Sequence, residues 1–161
     1  LAIALTIRVG MYYGEKNWLA MRQVQKVGLI SATIFAACTM ALIALARPYI
    51  VAIYTNDVHI MPIAMYLLWF AIAYQLVDGW QVSAAGCLRG MQDTQAPMWI
   101  TLMAYWVVAF PIGLYLARYT IWGVAGVWLG LIIGLTIACV LLIGRLYLNN
   151  KRLMQLKSSN P

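Results

Sequence analysis

Four side chains able to do chemistry fall within one short stretch, "AIAYQLVDGWQV" (71–82): Tyr74, Gln75, Asp78 and Gln81. At about 100° per helical residue they share an arc of about 120° with Ala71 and Ala85, while Trp69, Ile72, Ala73, Leu76, Val77 and Trp80 fill the opposite side. A carboxylate with a phenol one turn earlier can hold a cation between oxygens, or hold a proton with a hydrogen-bond partner beside it. Gln75 and Gln81 are candidate neutral supports for either role.

The solvent around that stretch decides what the carboxylate costs. Hydrophobic residues make up 65% of the 161 positions and charged ones 9%, whereas soluble domains carry roughly a quarter charged residues. The composition is that of a membrane protein. A spanning helix needs about 20 mostly apolar residues, and four runs meet that requirement: 27–46, 61–86, 97–117 and 123–144. Asp78 is the one charge within them. The expected fold is all-α, a polytopic bundle of transmembrane helices. Residues 1–13 are helical in character but too short to cross, and read as the end of a truncated helix. Residues 145–161 form a polar tail.

A carboxylate deep in a bilayer costs about 2.5–3.5 kcal/mol even on insertion scales, so Asp78 needs water, a cation, a proton or a hydrogen bond from another helix. The purely structural options are that last one, or a position nearer the interface than the run suggests. Intramembrane acids usually mark ion or substrate pathways, and that is the expectation for Asp78.

Basic residues set the orientation. Lys16, Arg22, Lys26, Arg89, Arg145, Lys151, Arg152 and Lys157 collect on one side of the spans, Arg47 and Arg118 on the other; the positive side is cytoplasmic, and with it the C-terminus. Arg8 can snorkel from the opening helix. The net charge of +7 is thereby accounted for by loops flanking apolar spans, and nucleic acid is not an expected partner. Cys38, Cys87 and Cys139 lack metal or disulfide spacing and read as small core residues. His59 lies in a loop where Asn56 or Asp57 is placed to cap the following helix; Asp93 or Thr94 serves the same purpose before Pro97.

The remaining signals concern packing. "GEKNWLAMRQVQKVG" (14–28) suggests a helix end lying in the interface. Gly126, Gly130 and Gly134 recur every fourth residue, a face along which another backbone can approach closely. Pro111, inside the 97–117 run and beside Gly113, frees a carbonyl one turn earlier and bends the helix, which makes it a candidate hinge.

Taken in order, "IRVGMYYGEKN", "ARPYIVAIYTND", "YQLVDGWQ" leading into "SAAGCLRGMQDTQAPM", and "FPIGLYL" resemble the C-terminal half of a multidrug and toxic compound extrusion (MATE) transporter of the NorM branch, over the whole chain. The resemblance implies twelve helices in two six-helix lobes that open alternately, exporting bulky cationic or aromatic drugs and dyes from the bacterial inner membrane in exchange for Na+ or H+. It implies that the four full spans are the ninth to twelfth, that the N-terminal portion of the same polypeptide is a partner, and that Asp78 and Tyr74 take part in cation coupling, as Na+ ligands if sodium is the ion. No cofactor beyond that ion is implied, and no enzymatic activity. Two rival readings are a membrane scaffold that transports nothing, and an intramembrane enzyme or flippase acting on lipid-linked substrates. An enzyme of that kind needs clustered acids or bases, and this chain offers one deep acid.

Overall fold

The computed structural model describes residues 1–54, Asp57 and residues 59–158, with side chains as far as Gln155; the possible cap Asn56 and the charge of Lys157 lie outside this. Every regular element is a helix: α1 (Ala2–Gly14), α2 (Trp18–Tyr54), α3 (Ile60–Gly90), α4 (Gln95–Met103), a π-helical segment (Ala104–Ala109), α5 (Phe110–Tyr119) and α6 (Val124–Ser158). The stretch Gln95–Tyr119 is one continuous helical rod, and it joins α2, α3 and α6 as the four helices long and apolar enough to cross a membrane.

Three of these helices contain one of the apolar runs and outlast it, and α6 takes up the fourth one residue late, at Val124, with Gly123 left in the turn before it. Residues 14–28 hold the end of α1, a short turn and the first turns of α2, which starts at Trp18 and continues for 37 residues, about 55 Å at 1.5 Å per residue. Nothing between Gln23 and Gly28 breaks the helix, so the polar lead-in and the apolar span propagate as one. Helix α3 closes on Gln92, whose φ of 62° is left-handed, and the Asp93 N–H reaches back to the Leu88 carbonyl at 3.0 Å.

Helix α3 is the hub. It packs against α1 and α2 on one side and α6 on another, while α6 also carries the Gln95–Tyr119 rod. Lipid tails are as apolar as leucine, so close backbone approach and interhelical hydrogen bonds must hold such helices together. Small residues provide the approach. Along "SAAGCLRG" (83–90) every residue but Arg89 is buried. A side chain at Gly86 would meet the Ala2 carbonyl and one at Gly90 the Thr6 carbonyl, which is why α1 can lie directly on α3. The Thr6 hydroxyl lies 3.0 Å from the Gly86 carbonyl. The tightest core, Leu5, Val9, Met21, Ala84, Cys87, Leu88, Leu142 and Leu146 among its members, gathers at this end of the bundle. Outward surfaces are apolar and open: Leu45 is 80% exposed and Ile53 81%. Cys38 also faces outward, against expectation, while Cys87 and Cys139 are buried.

Candidate functional site

Asp78 lies on α3 twelve residues before its last residue, Gly90, about 18 Å along the axis. Because α3 runs on to Gly90, the carboxylate is well inside the helix rather than near its end. It is half-buried, and among the described residues no Lys, Arg or His pairs with it.

The carboxylate borders a cavity of about 350 Å³ between α3, α2 and the start of α1, whose polar lining is Gln75, Asp78 and Ser83 and whose walls include Ala32, Phe35 and Ala36. Gly79 leaves the α2 backbone close at this level, with the Ala32 carbonyl 3.8 Å from where a side chain would begin. Two side-chain bonds tie α3 to α2 around the cavity: Gln75 Nε2 donates to Thr39 Oγ1 at 3.2 Å and Trp80 Nε1 donates to Thr33 Oγ1 at 2.8 Å. Each threonine hydroxyl donates in turn within its own helix, Thr33 to the Leu29 carbonyl and Thr39 to the Phe35 or Ala36 carbonyl, so its oxygen is left to accept. Gln75 is thereby committed to the α2 interface.

The polar arc does not address one environment. Gln75 and Asp78 line the cavity on the α1–α2 side, whereas Tyr74 is absent from its wall. Gln81 is 6% exposed and absent from the cavity wall. The structure therefore brings Gln75 and Asp78 together at one cavity and sets Tyr74 and Gln81 apart from it. Ser83, Thr33 and Thr39 belong to the surroundings of the site and were not singled out by sequence. No group of three or more His, Cys, Asp or Glu gathers among the described residues, so any cation held here meets one carboxylate from this chain and neutral oxygens otherwise.

Pro111 stands in the first turn of α5, directly after the π-helical segment. Its ring excludes the carbonyl four residues earlier, that of Val107, from normal helical bonding, and the segment before it is wound as a π turn, in which the Phe110 N–H donates to the Tyr105 carbonyl. The glycine face of α6 is fitted to this irregularity. Side chains at Gly126, Gly130 and Gly134 would collide with the backbone of Leu116 and Ala117, of Gly113 and Ala109, and of Ala104 and Ala109 respectively.

A second polar cluster lies where α3 and α6 end. Arg145 Nε donates to Asp93 Oδ2 at 2.6 Å and Asn149 Nδ2 to the same oxygen at 3.1 Å. The Arg145 bond leads in holding the Asp93 carboxyl below the ordinary carboxylate range, and the Ala96 N–H at the start of α4 contributes. Asp93 thus makes an ion pair across the bundle; Thr94, the residue before α4, makes no side-chain cap bond. At the other connection, the Asp57 side chain accepts from the His59 N–H at 2.8 Å.

Residues 1–115 match the MatE family model. The chain is 73% identical over 155 residues to the "Probable multidrug resistance protein NorM" of Acinetobacter baylyi, covering 96% of this chain and 34% of that protein. It is 39% identical over 152 residues to the same-named protein of Xanthomonas axonopodis pv. citri, covering 94% and 33%. Its fold matches a multidrug resistance MATE family transporter solved in an inward-facing conformation, with a TM-score of 0.87 at 19% identity over 96% of this chain and 36% of that one. An outward-facing conformation gives the same TM-score. The chain spans about a third of the length of these relatives, and it belongs to the MatE family.

Proposed function

We propose that this chain forms the cation-coupling part of a multidrug efflux antiporter of the bacterial inner membrane, which admits Na+ or H+ and expels bulky cationic or aromatic drugs and dyes. One observation carries the coupling: the carboxylate of Asp78 stands inside a spanning helix beside a polar-lined cavity, with no cationic side chain to neutralise it among the described residues. The names of the curated relatives support the efflux, and point to a transporter rather than an enzyme.

On this reading the exchange depends on the charge of one group. Ionised Asp78 attracts Na+ or a proton from the outside, Tyr74 adds a neutral oxygen, and Gln75 keeps α2 and α3 in register around the cavity. Neutralising the carboxylate removes the cost of holding a charge in a poorly hydrated place, and so favours whichever arrangement of the helices buries it better. A drug bound more tightly to the other arrangement is released by that shift, and only such differential affinity can drive the exchange. Residues of the N-terminal portion of the same polypeptide complete the site, the C-terminus is cytoplasmic, and the outward apolar faces contact lipid.

The test is dye efflux by the full-length parent in proteoliposomes, Asp78 against Asp78→Asn, under separate Na+ and H+ gradients. Loss of ion-driven efflux in a folded variant is expected, and the gradient that had driven the parent identifies the ion. Undiminished efflux would sink the assignment. A scaffold would show no efflux with either side chain.

A further inference from the structure

At the end of the bundle that holds the Asp93 cluster, a cavity of about 480 Å³ opens between the end of α1, the α3–α4 turn and α6, with Tyr13, Gln92, Asp93, Asn149 and Arg152 in its wall. Its frame is held by bonds. Met91, also in the wall, receives Gln25 Nε2 at 3.5 Å, and Gln25 Oε1 accepts from Asn150 Nδ2 at 2.7 Å; Gln25 and Asn150 are both buried. Asp93 is fixed by Arg145 and Asn149. Walls already bonded to one another need little ordering when a ligand arrives.

The remaining donors are unspent. Among the described residues the Tyr13 hydroxyl, the Gln92 amide and the Arg152 guanidinium have no hydrogen-bond or ion-pair partner. The carboxylate in the wall, Asp93, already has Arg145 as its counter-ion, so Arg152 is the charge left over. A guanidinium with neutral donors beside it suits a phosphate group. The basic residues at this end outnumber its acids, Glu15 and Asp93, which favours an anionic ligand over one that brings its own cation.

Helix α6 leads from this cavity along an apolar surface. At about 100° per residue, Leu141, Arg145, Leu148 and Arg152 fall within an arc of about 60°, and both leucines are exposed. Leu141 also lines an apolar groove of about 320 Å³ between α6 and the kinked rod, together with Trp99, Met103 and Val107. Leu141 and Arg152 are eleven residues apart, about 16 Å along the axis, close to half of a hydrocarbon core of about 30 Å. A free phosphate ion has no use for such a groove, whereas the chain of a phospholipid does. Basic pockets between spanning helices are places where anionic headgroups bind.

We propose that this cavity binds the phosphate of an anionic phospholipid, with Arg152 as its cation and one acyl chain lying along Leu148 and Leu141 into the groove beside the rod. The site does not depend on Asp78 being the coupling acid.

The test titrates the full-length parent, delipidated in mild detergent, with phosphatidylglycerol and separately with phosphatidylcholine of the same acyl chains, counting retained lipid by native mass spectrometry. Phosphatidylglycerol is expected to saturate at a concentration about ten-fold lower than phosphatidylcholine, the effect of one charge-assisted hydrogen bond. Arg152→Gln removes that preference by weakening phosphatidylglycerol alone, with the melting temperature in lipid-free detergent as in the parent. Lys26→Gln takes an equal charge from α2 outside the cavity wall and leaves both titrations unchanged. Inorganic phosphate at matched concentration does not displace the lipid.

Equal retention of the two lipids overturns the proposal, as does an unaltered phosphatidylglycerol titration in Arg152→Gln. An equal loss in Lys26→Gln would show attraction to the charge of the whole face rather than to this cavity, and displacement by inorganic phosphate would show a site for a free anion; either result overturns the lipid assignment.

Discussion

Asp78 and Asp93 show how differently two aspartates behave fifteen positions apart. Asp78 borders a cavity and has no cationic side chain paired with it among the described residues. Asp93 is held by Arg145 and Asn149 and has a structural task, tying the α3–α4 turn to α6. Because its folded pKa lies below the unfolded value, its contribution is fully present above about pH 3.9. The contribution fades as pH falls through the lower folded value. Arg145 is 47% exposed, so solvent screening limits the pair to under about 1 kcal/mol. Asp93→Asn is expected to lower the melting temperature slightly at pH 7, with the gap to the parent closing at strongly acid pH; thermal unfolding in detergent across that range checks it. A gap that persisted unchanged into acid would mean that packing, not charge, distinguishes the two proteins.

At the scale of elements, α6 and the kinked rod form one fitted pair. A methyl group at Gly130 would strike the backbone of Gly113 and Ala109, which cannot rotate away as a side chain can. Gly130→Ala is therefore expected to cost about 1–3 kcal/mol, as overpacking does elsewhere. Gly144→Ala is the comparison, since nothing lies within 4 Å of the methyl it would add; it should be neutral or gain up to about 1 kcal/mol from helix propensity. Denaturation of both full-length variants in mild detergent decides it. Equal stabilities would mean that the rod is not docked on this face as closely as the glycines suggest. The same docking gives Pro111 a more specific role than that of a free hinge: the bend is braced on both sides by glycines of α6, so a motion there must carry α6 with it.

For the whole molecule, the positive residues at the end of the bundle that holds the Asp93 cluster predict a cytoplasmic C-terminus. A reporter that fluoresces only in the cytoplasm, fused after Pro161, should be bright, and alkaline phosphatase fused at the same place should be inactive. The reverse pattern would invert the orientation and, with it, the side from which the cation reaches Asp78. The tight core lies at this same end, where α1, α3 and α6 meet through small residues, while the Asp78 cavity lies farther along α3 between helices bridged by single hydrogen bonds. Rigidity and the candidate site are therefore at different depths of one bundle.

The sequence by itself determined the solvent, the number of spanning helices and the deep acid with its tyrosine, because each follows from local composition or from residues one helical turn apart. It also marked the glycine face of α6, since a four-residue repeat is visible without knowing what packs on it. The partners of those features were decided only by tertiary structure. No local rule relates Gln75 to Thr39 or Asp93 to Arg145, which are brought together by helices returning across the bundle. The splitting of the polar arc, with Gln75 and Asp78 on the cavity wall and Tyr74 and Gln81 off it, has the same origin: an angle on a helical wheel says which side chains share a face, and only the neighbours' positions say where that face is divided. The π turn stands between the two cases. Pro111 announces a disturbed helix, but whether it is relieved by a kink, a lost bond or an inserted residue depends on what lies opposite, and here Gly130 and Gly134 leave room for the backbone of the wider turn.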